Sequence, residues 1–168
     1  EYQSHVASPL HFYPIPEVTK EFDVFFYGGW SPWREKALFA AHCATKNIAV
    51  YGNGWLKKCT LFSRAELLKI YKGEEIGGPY LNQALNSSKI IINAQRLKGL
   101  TTGLDTRAFD VLASGSLLLT DAPKDLFRHF ENLVDLLVYE HADQIPGLIK
   151  AVLDGNIDVE KIKRAGRE

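Results

Sequence analysis

The sequence has no methionine. It therefore offers no start residue, and with its abrupt stop at KRAGRE this leads us to expect a piece of a longer protein. Cysteine is scarce. Cys43 and Cys59 form no Cys-x-x-Cys pair and have no histidine cluster nearby, which argues against a zinc site. Thiols buried or idle in a reducing compartment, the cytoplasm, are expected, with a disulfide as the lesser alternative. An excess of either charge is also missing. Twenty basic and twenty acidic residues cancel, so there is no electrostatic footprint for nucleic acid or an anionic membrane. A small anionic ligand needs only a local site and is untouched by this. No apolar run approaches the ~18 residues of a membrane span. The first ten residues, EYQSHVASPL, lack the basic start and apolar middle of a signal peptide. Nor is there a Gly-x-Gly-x-x-Gly turn, so a nicotinamide or flavin dinucleotide is not indicated.

What remains is ordinary for a folded domain: 168 residues, 46% hydrophobic and 24% charged. Pro9, Pro14 and Pro16 fall within eight positions, which marks residues 1–20 as an extended lead-in or linker. Residues 21–168 read as one domain. DVFFYGG (23–29), IAVYGNGW (48–55), KIIINA (89–94), SLLLTD (116–121) and LLVYE (136–140) read as strands, several of them apolar throughout. SRAELLKI reads as a short helix running into a strand that ends near Gly73. Helices are expected over 31–46, where Ser31 can cap and Pro32 suits the first helical position, then within 76–88, from about 105, near 123–131, over 142–153 and at the C-terminus. This alternation predicts a doubly wound, mainly parallel α/β sheet, Rossmann-like, with helices on both faces. Ligands of such sheets bind beyond the carboxyl ends of the strands. The loops that matter are then 28–34, 52–55, 73–79, 94–105 and 120–123.

The segment GLTTGLDTRAFDVLASGSLLLTD carries the clearest chemical signal. A helix starting at Asp105 or Thr106 puts Leu104, Ala108, Val111 and Leu112 on a core-facing stripe. Gly103, Arg107, Asp110 and Ser114 fall on the other face. An arginine in the first turn opposes the helix dipole, whereas a bound phosphate would take the free N–H groups and pair with the guanidinium. Asp110, one turn on, could accept ribose hydroxyls. The competing reading is a surface Arg107–Asp110 ion pair worth ~0.2–0.5 kcal/mol. Asp105 is an N-cap candidate, and its carboxylate would repel a phosphate. In FYGGWSPWREK, the Gly28-Gly29 turn and Arg34 could meet a diphosphate, or Arg34 could be an exposed helix residue. Asn53 in the tight turn YGNGW could face the ligand. The histidines are scattered without a catalytic or metal pattern.

The order of pieces SPLHFYP, DVFFYGG, AVYGNGW, SSKIIINAQR, GLDTRAFDVLASGSLLLTD and AGRE resembles the C-terminal half of group 1 glycosyltransferases, nearest to the CgeB-like spore-maturation branch. The resemblance implies one half of a GT-B enzyme, the domain that binds a nucleoside-diphosphate sugar. The N-terminal domain of the same parent chain would hold the acceptor, whose identity is unknown. It implies that Arg107 meets the donor diphosphate and Asp110 the ribose, with Arg34 and the Gly28-Gly29 turn near the diphosphate; Thr102, Gly103 and Thr106, at the expected helix start, complete the candidate substrate site. Arg107 is its catalytic residue, stabilising the departing diphosphate, and the 73–79 loop lies near the base. No metal or other cofactor is implied, since basic groups and helix N–H groups neutralise the leaving group. Two positions depart from the family pattern: Asp110 stands where many relatives have Glu, and Thr102 replaces a second Glu. A degenerate module kept for protein contacts is the alternative function, and binding of nucleoside diphosphates separates the two. A receiver-type signalling domain ranks last, because only Asp121 sits suitably.

Overall fold

A computed structural model describes residues 7–94, 106–123 and 126–168. Six strands form one parallel sheet in the order β3-β2-β1-β4-β5-β6. They are β1 (Phe22–Tyr27), β2 (Ile48–Tyr51), β3 (Tyr71–Gly73), β4 (Ser88–Asn93), β5 (Leu118–Asp121) and β6 (Leu137–Tyr139). The helices are α1 (Pro32–Ala44), α2 (Trp55–Lys58), α3 (Arg64–Ile70), α4 (Gly78–Asn86), α5 (Thr106–Ala113), α6 (Ile145–Leu153) and α7 (Val159–Arg167). The Rossmann-like α/β reading therefore holds.

The strands are apolar throughout because the sheet buries both faces. Val24, Phe26, Val50, Ile90, Ile92 and Leu119 pack with Leu38 of α1, Ile70 of α3 and Ile149 of α6. Phe25, Ala49, Ile91 and Leu118 point the other way, toward Leu85 of α4 and Val111 of α5. Ser31 caps α1 by accepting from the Arg34 amide, and Pro32 opens the helix, as the sequence predicts. Ser63 and Glu66 form a capping box that starts α3.

Several expectations need correction. Within 126–131 there is only a 3-10 turn, Leu126–Arg128, in place of the helix expected near 123–131. Leu126 and Phe130 pack into the core beside α5 while Phe127 is exposed, so the segment is anchored at two points without forming a longer helix. The helix expected over 142–153 begins as a separate 3-10 turn, Ala142–Gln144, because Pro146 sets the start of α6. Ser114 does not share an outer face with Arg107. It is fully buried, and its hydroxyl donates to the Val111 carbonyl and lies 2.9 Å from Ser116 Oγ. Leu104 and Asp105 lie outside the described residues.

The described part of the lead-in, residues 7–20, is irregular and lies against α4. Asn82 Nδ2 and Asn86 Nδ2 both donate to the Tyr13 carbonyl at 3.1 Å, and Asn86 Oδ1 accepts from the Ile15 amide at 2.8 Å. An asparagine presents a donor and an acceptor at once, which suits it to clamp an extended strand of backbone. Asn86→Ala is expected to cost about 1–2 kcal/mol. It should also open residues 7–20 to limited proteolysis before the rest of the chain unfolds. Equal protease resistance of both proteins would remove the clamp.

Candidate functional site

The sheet order reverses between β1 and β4. The chain steps outward from β1 to β3, then returns to β4 on the other side of β1. The crevice beyond the carboxyl ends of these two central strands is where doubly wound sheets take ligands. Two arginines from different helices meet there.

Arg107, in the first described turn of α5, is half-buried. Its Nη1 donates to Asn93 Oδ1 at the end of β4, 3.0 Å away. Its guanidinium carbon stands 5.0 Å from the centre of the Tyr27 ring, at the end of β1. Arg34, near the start of α1, is 5% exposed, so the alternative of an exposed helix residue is wrong. Its Nε donates to the Ala94 carbonyl at 3.0 Å and its Nη1 to the Gly29 carbonyl at 2.9 Å. The two guanidiniums converge on Gly28. A Cβ there would lie 3.2 Å from Arg107 Nη2 and 3.3 Å from Arg34 Nη1. Gly28 also has φ +139°, a conformation that side chains rarely adopt. Both requirements select glycine at this turn.

Gly29 has a different neighbour. A Cβ on it would come within 2.7 Å of Asn53 Oδ1. The Asn53 side chain thus packs against this turn, beside the crevice. Thr106 is exposed at the start of the described part of α5, and Asp110 is half-buried one turn beyond Arg107. Thr102 and Gly103 lie outside the described residues. The structure thus brings together Gly28, Gly29, Arg34 and Arg107 at one crevice, with Asp110 on the helix that supplies Arg107.

Sequence reading missed the residues that hold this pair. Asn93 is 2% exposed, and its Nδ2 donates to Thr120 Oγ1 at 3.2 Å, on β5. Thr120 Oγ1 in turn lies 3.3 Å from Asp121 Oδ1. The Asn93 carbonyl accepts the Tyr139 hydroxyl at 2.8 Å, from β6. Burial first, and the Asp121 charge second, push that phenol far above its ordinary pKa against the opposing pull of Arg34, so it stays a donor. The one signal in the sequence was a polar residue closing an otherwise apolar strand.

Beside the crevice, Tyr51 of β2 stands in register with Tyr27. Tyr51, Glu75, Ile76, Gly77 and Tyr80 line an open cavity of about 420 Å³ over the 73–79 loop. Cys59 is half-buried, and burial together with its bond to Glu35 pushes the thiol up to about 11, which leaves it a poor nucleophile. Cys43 is exposed, and both cysteines are free, so the alternative of a disulfide between them is not realised. Among the described residues no group of three or more His, Cys, Asp and Glu side chains could hold a metal ion. Nor, among those residues, is any helix long and apolar enough to cross a membrane.

Residues 34–168 match the family model described as glycosyl transferase-like. No curated protein matches the chain. Among solved structures, the C-terminal domain of the group 1 glycosyl transferase LpcC from Francisella tularensis superposes with a TM-score of 0.71 at 12% identity, over 96% of this chain and 94% of that one. Sucrose-phosphate synthase from Thermosynechococcus elongatus gives 0.71 at 14% identity, over 96% of this chain and 45% of that one. HepE from Anabaena, in complex with UDP and glucose, gives 0.68 at 11% identity, over 88% and 43%. The chain thus spans less than half of the latter two and nearly all of the first, itself a C-terminal domain. At such identities the likeness establishes the fold, that of a GT-B glycosyltransferase domain.

Proposed function

The chain belongs to the glycosyl transferase-like family, and from that premise we propose that it is the donor-binding domain of a two-domain GT-B enzyme that transfers a sugar from a nucleoside-diphosphate sugar. One observation carries the reading: two guanidiniums from different helices converge within 3.3 Å of a single point at the switch of the sheet, where Gly28 has no side chain. Bringing like charges together is unfavourable by itself, and a dianionic group between them reverses the sign. Guanidiniums are also the side chains best shaped to take phosphate oxygens in pairs.

In this reading Arg107 and Arg34 bind the diphosphate. Arg107, with the N–H groups at the start of α5 and Thr106 there, stabilises negative charge as the sugar departs, and Thr102 and Gly103 are counted as donor-binding residues on the sequence reading alone. Asp110 accepts the ribose hydroxyls. The base occupies the cavity at Tyr51 and Tyr80, whose rings offer stacking surfaces. That HepE was crystallised with UDP on the same fold supports a nucleotide ligand. The acceptor would come from an N-terminal domain of the same parent chain, facing this crevice in the cytoplasm. We assign residues 1–20 to the lead-in between the two domains and, on the resemblance of its order of motifs, the whole to the CgeB-like branch.

Arg107→Ala is expected to weaken binding of a nucleoside diphosphate by ~1–3 kcal/mol, the range of a charged hydrogen bond. Calorimetry with uridine, guanosine and adenosine diphosphates measures it. Unchanged affinity for whichever of these the wild-type chain binds would take Arg107 out of the site. Binding of none of them would favour a degenerate module.

A further inference from the structure

We propose that the cavity beside the crevice selects guanine, and that the Glu75 carboxylate makes the choice by accepting from the ring N1–H and the 2-amino group together. The inference rests on the donor-site reading above and adds to it the identity of the nucleotide. At about 420 Å³ the cavity has the volume of a small-molecule site. Tyr51 and Tyr80 line it, but an aromatic ring stacks on any base and cannot choose between them. The choice falls to groups that meet the edge of the base. Among the residues lining the cavity, Glu75 has the one charged side chain.

The loop that carries this carboxylate is fixed on both sides of it. The Gly52 amide donates to the Gly73 carbonyl at 2.9 Å, and Ile76 packs against the core. A Cβ on Gly73 would lie 3.3 Å from the Tyr51 ring, so the glycine lets that ring rest on the loop. Glu74 acts elsewhere: burial first, and its charge second, push the Tyr71 phenol up. The Glu75 side chain makes no hydrogen bond or ion pair with any described residue. Next to it, α4 opens on Gly77 without a side-chain cap, so its first N–H groups have no helical partner. Gly77 has extended backbone, and a Cβ there would meet nothing within 4 Å. Neither conformation nor packing requires this glycine, whereas bare backbone suits the close approach of a flat ring. A carboxylate accepts through two oxygens and donates nothing. Guanine answers it with two adjacent donors, and its O6 suits the N–H groups at the start of α4. Uracil offers one N–H flanked by carbonyl oxygens, which a carboxylate repels. Adenine sets a ring-nitrogen acceptor beside its amino group, which leaves one carboxylate oxygen facing a lone pair. The UDP bound to HepE does not bear on this choice, because at 11% identity the likeness is one of fold.

The test is calorimetry with guanosine, inosine, uridine and adenosine diphosphates on the wild type, Glu75→Gln and Arg107→Ala. The wild type should bind guanosine diphosphate about tenfold to a hundredfold more tightly than the uridine or adenosine compound, the discrimination that a good bidentate pair gives. Inosine diphosphate lacks only the 2-amino group and should fall between, which tests the second bond without any substitution. Glu75→Gln keeps the size of the side chain but pairs one acceptor oxygen with a donor. It should lose about tenfold for guanosine diphosphate and bind the uridine and adenosine compounds no more weakly than before. Glu75 is exposed, so the variant should melt with the wild type. A glutamate that only shaped the loop would, on replacement, weaken all four ligands alike. If the uridine or adenosine compound binds the wild type as tightly as the guanosine one, or Glu75→Gln keeps the guanosine preference, the inference is overturned. The donor-site reading survives that result as long as one of the diphosphates binds and Arg107→Ala weakens it. If none of the four binds, both are overturned.

Discussion

Replacing Glu35 by alanine is expected to destabilise the chain by about 3 kcal/mol, lowering its unfolding midpoint by roughly 10 °C. Glu35 is 2% exposed in the first turn of α1. One carboxylate oxygen takes the Trp30 indole N–H at 2.6 Å. The other takes the amides of Thr60 and Leu61 and the Cys59 thiol. This one side chain thus ties the turn after β1 and the loop after α2 to α1. Its deletion strands an indole and two amides. Thr60 and Leu61 lie at the surface, where water recovers part of the loss, which keeps the total well below the sum of its bonds. The same bonds give an acid-dependent stability. Burial pushes the Glu35 carboxyl up, but the Leu61 and Thr60 amides, with the Cys59 thiol and the Trp30 indole, outweigh it and hold the carboxyl below its ordinary value. A depressed native pKa contributes stability that is fully present above the unfolded carboxylate value and disappears as pH falls through the native one. The gap in melting temperature between the wild type and Glu35→Gln should therefore narrow on acidification. Thermal melts from neutral pH into the acid range measure both effects, and an alanine variant that melts with the wild type would contradict them.

Glu35 also shows where sequence reading stops. The layered fold was legible because its signals are local. Three consecutive isoleucines in β4 need two buried faces, and Ser31-Pro32 or Ser63 with Glu66 announce helix starts within four residues. Arg107 was legible for the same reason, as a cation placed against a helix dipole. The partners of these residues were not. Glu35 meets Thr60 and Leu61 across 25 and 26 positions, and Arg34 meets Ala94 across 60. Such pairings depend on which strands become neighbours, and periodicity carries no information about that. Arg34 is the instructive case. Its helix position looked like an ordinary exposed one, yet the reversal of strand order places it beside the end of β4, where two carbonyls hold it. Asn93 escaped notice because a single polar residue at a strand end has many uses. Only the sheet order puts Arg107, Thr120 and Tyr139 around it.

Gly52→Ala is expected to disturb stability and ligand binding together, and by more than its single methyl would indicate. Gly52 follows β2 with φ +148°, where a residue with a side chain is strained by about 1–3 kcal/mol. A Cβ there would fall onto the carbonyl of Gly28 and crowd the Gly29 amide. The obstacle is backbone, so no rotamer change relieves it, and one of the two turns must move. The turn after β1 is the one with consequences. Its Gly28 carbonyl accepts the Trp55 indole at 2.9 Å, its Gly29 carbonyl accepts Arg34 Nη1, and the absent side chain of Gly28 makes room for both guanidiniums. Displacing it loosens Arg34 and narrows the seat from the side of β1, although no residue proposed to touch the ligand has changed. A stability loss of about 3 kcal/mol or more is expected. Diphosphate affinity should fall about as far as in Arg107→Ala, because geometry set by the turn is as necessary to the seat as the charge. Denaturant unfolding and calorimetry on the same variant measure the two losses. If Gly52→Ala is destabilised yet binds a diphosphate as tightly as the wild type, the crevice between β1 and β4 is not where the anion rests.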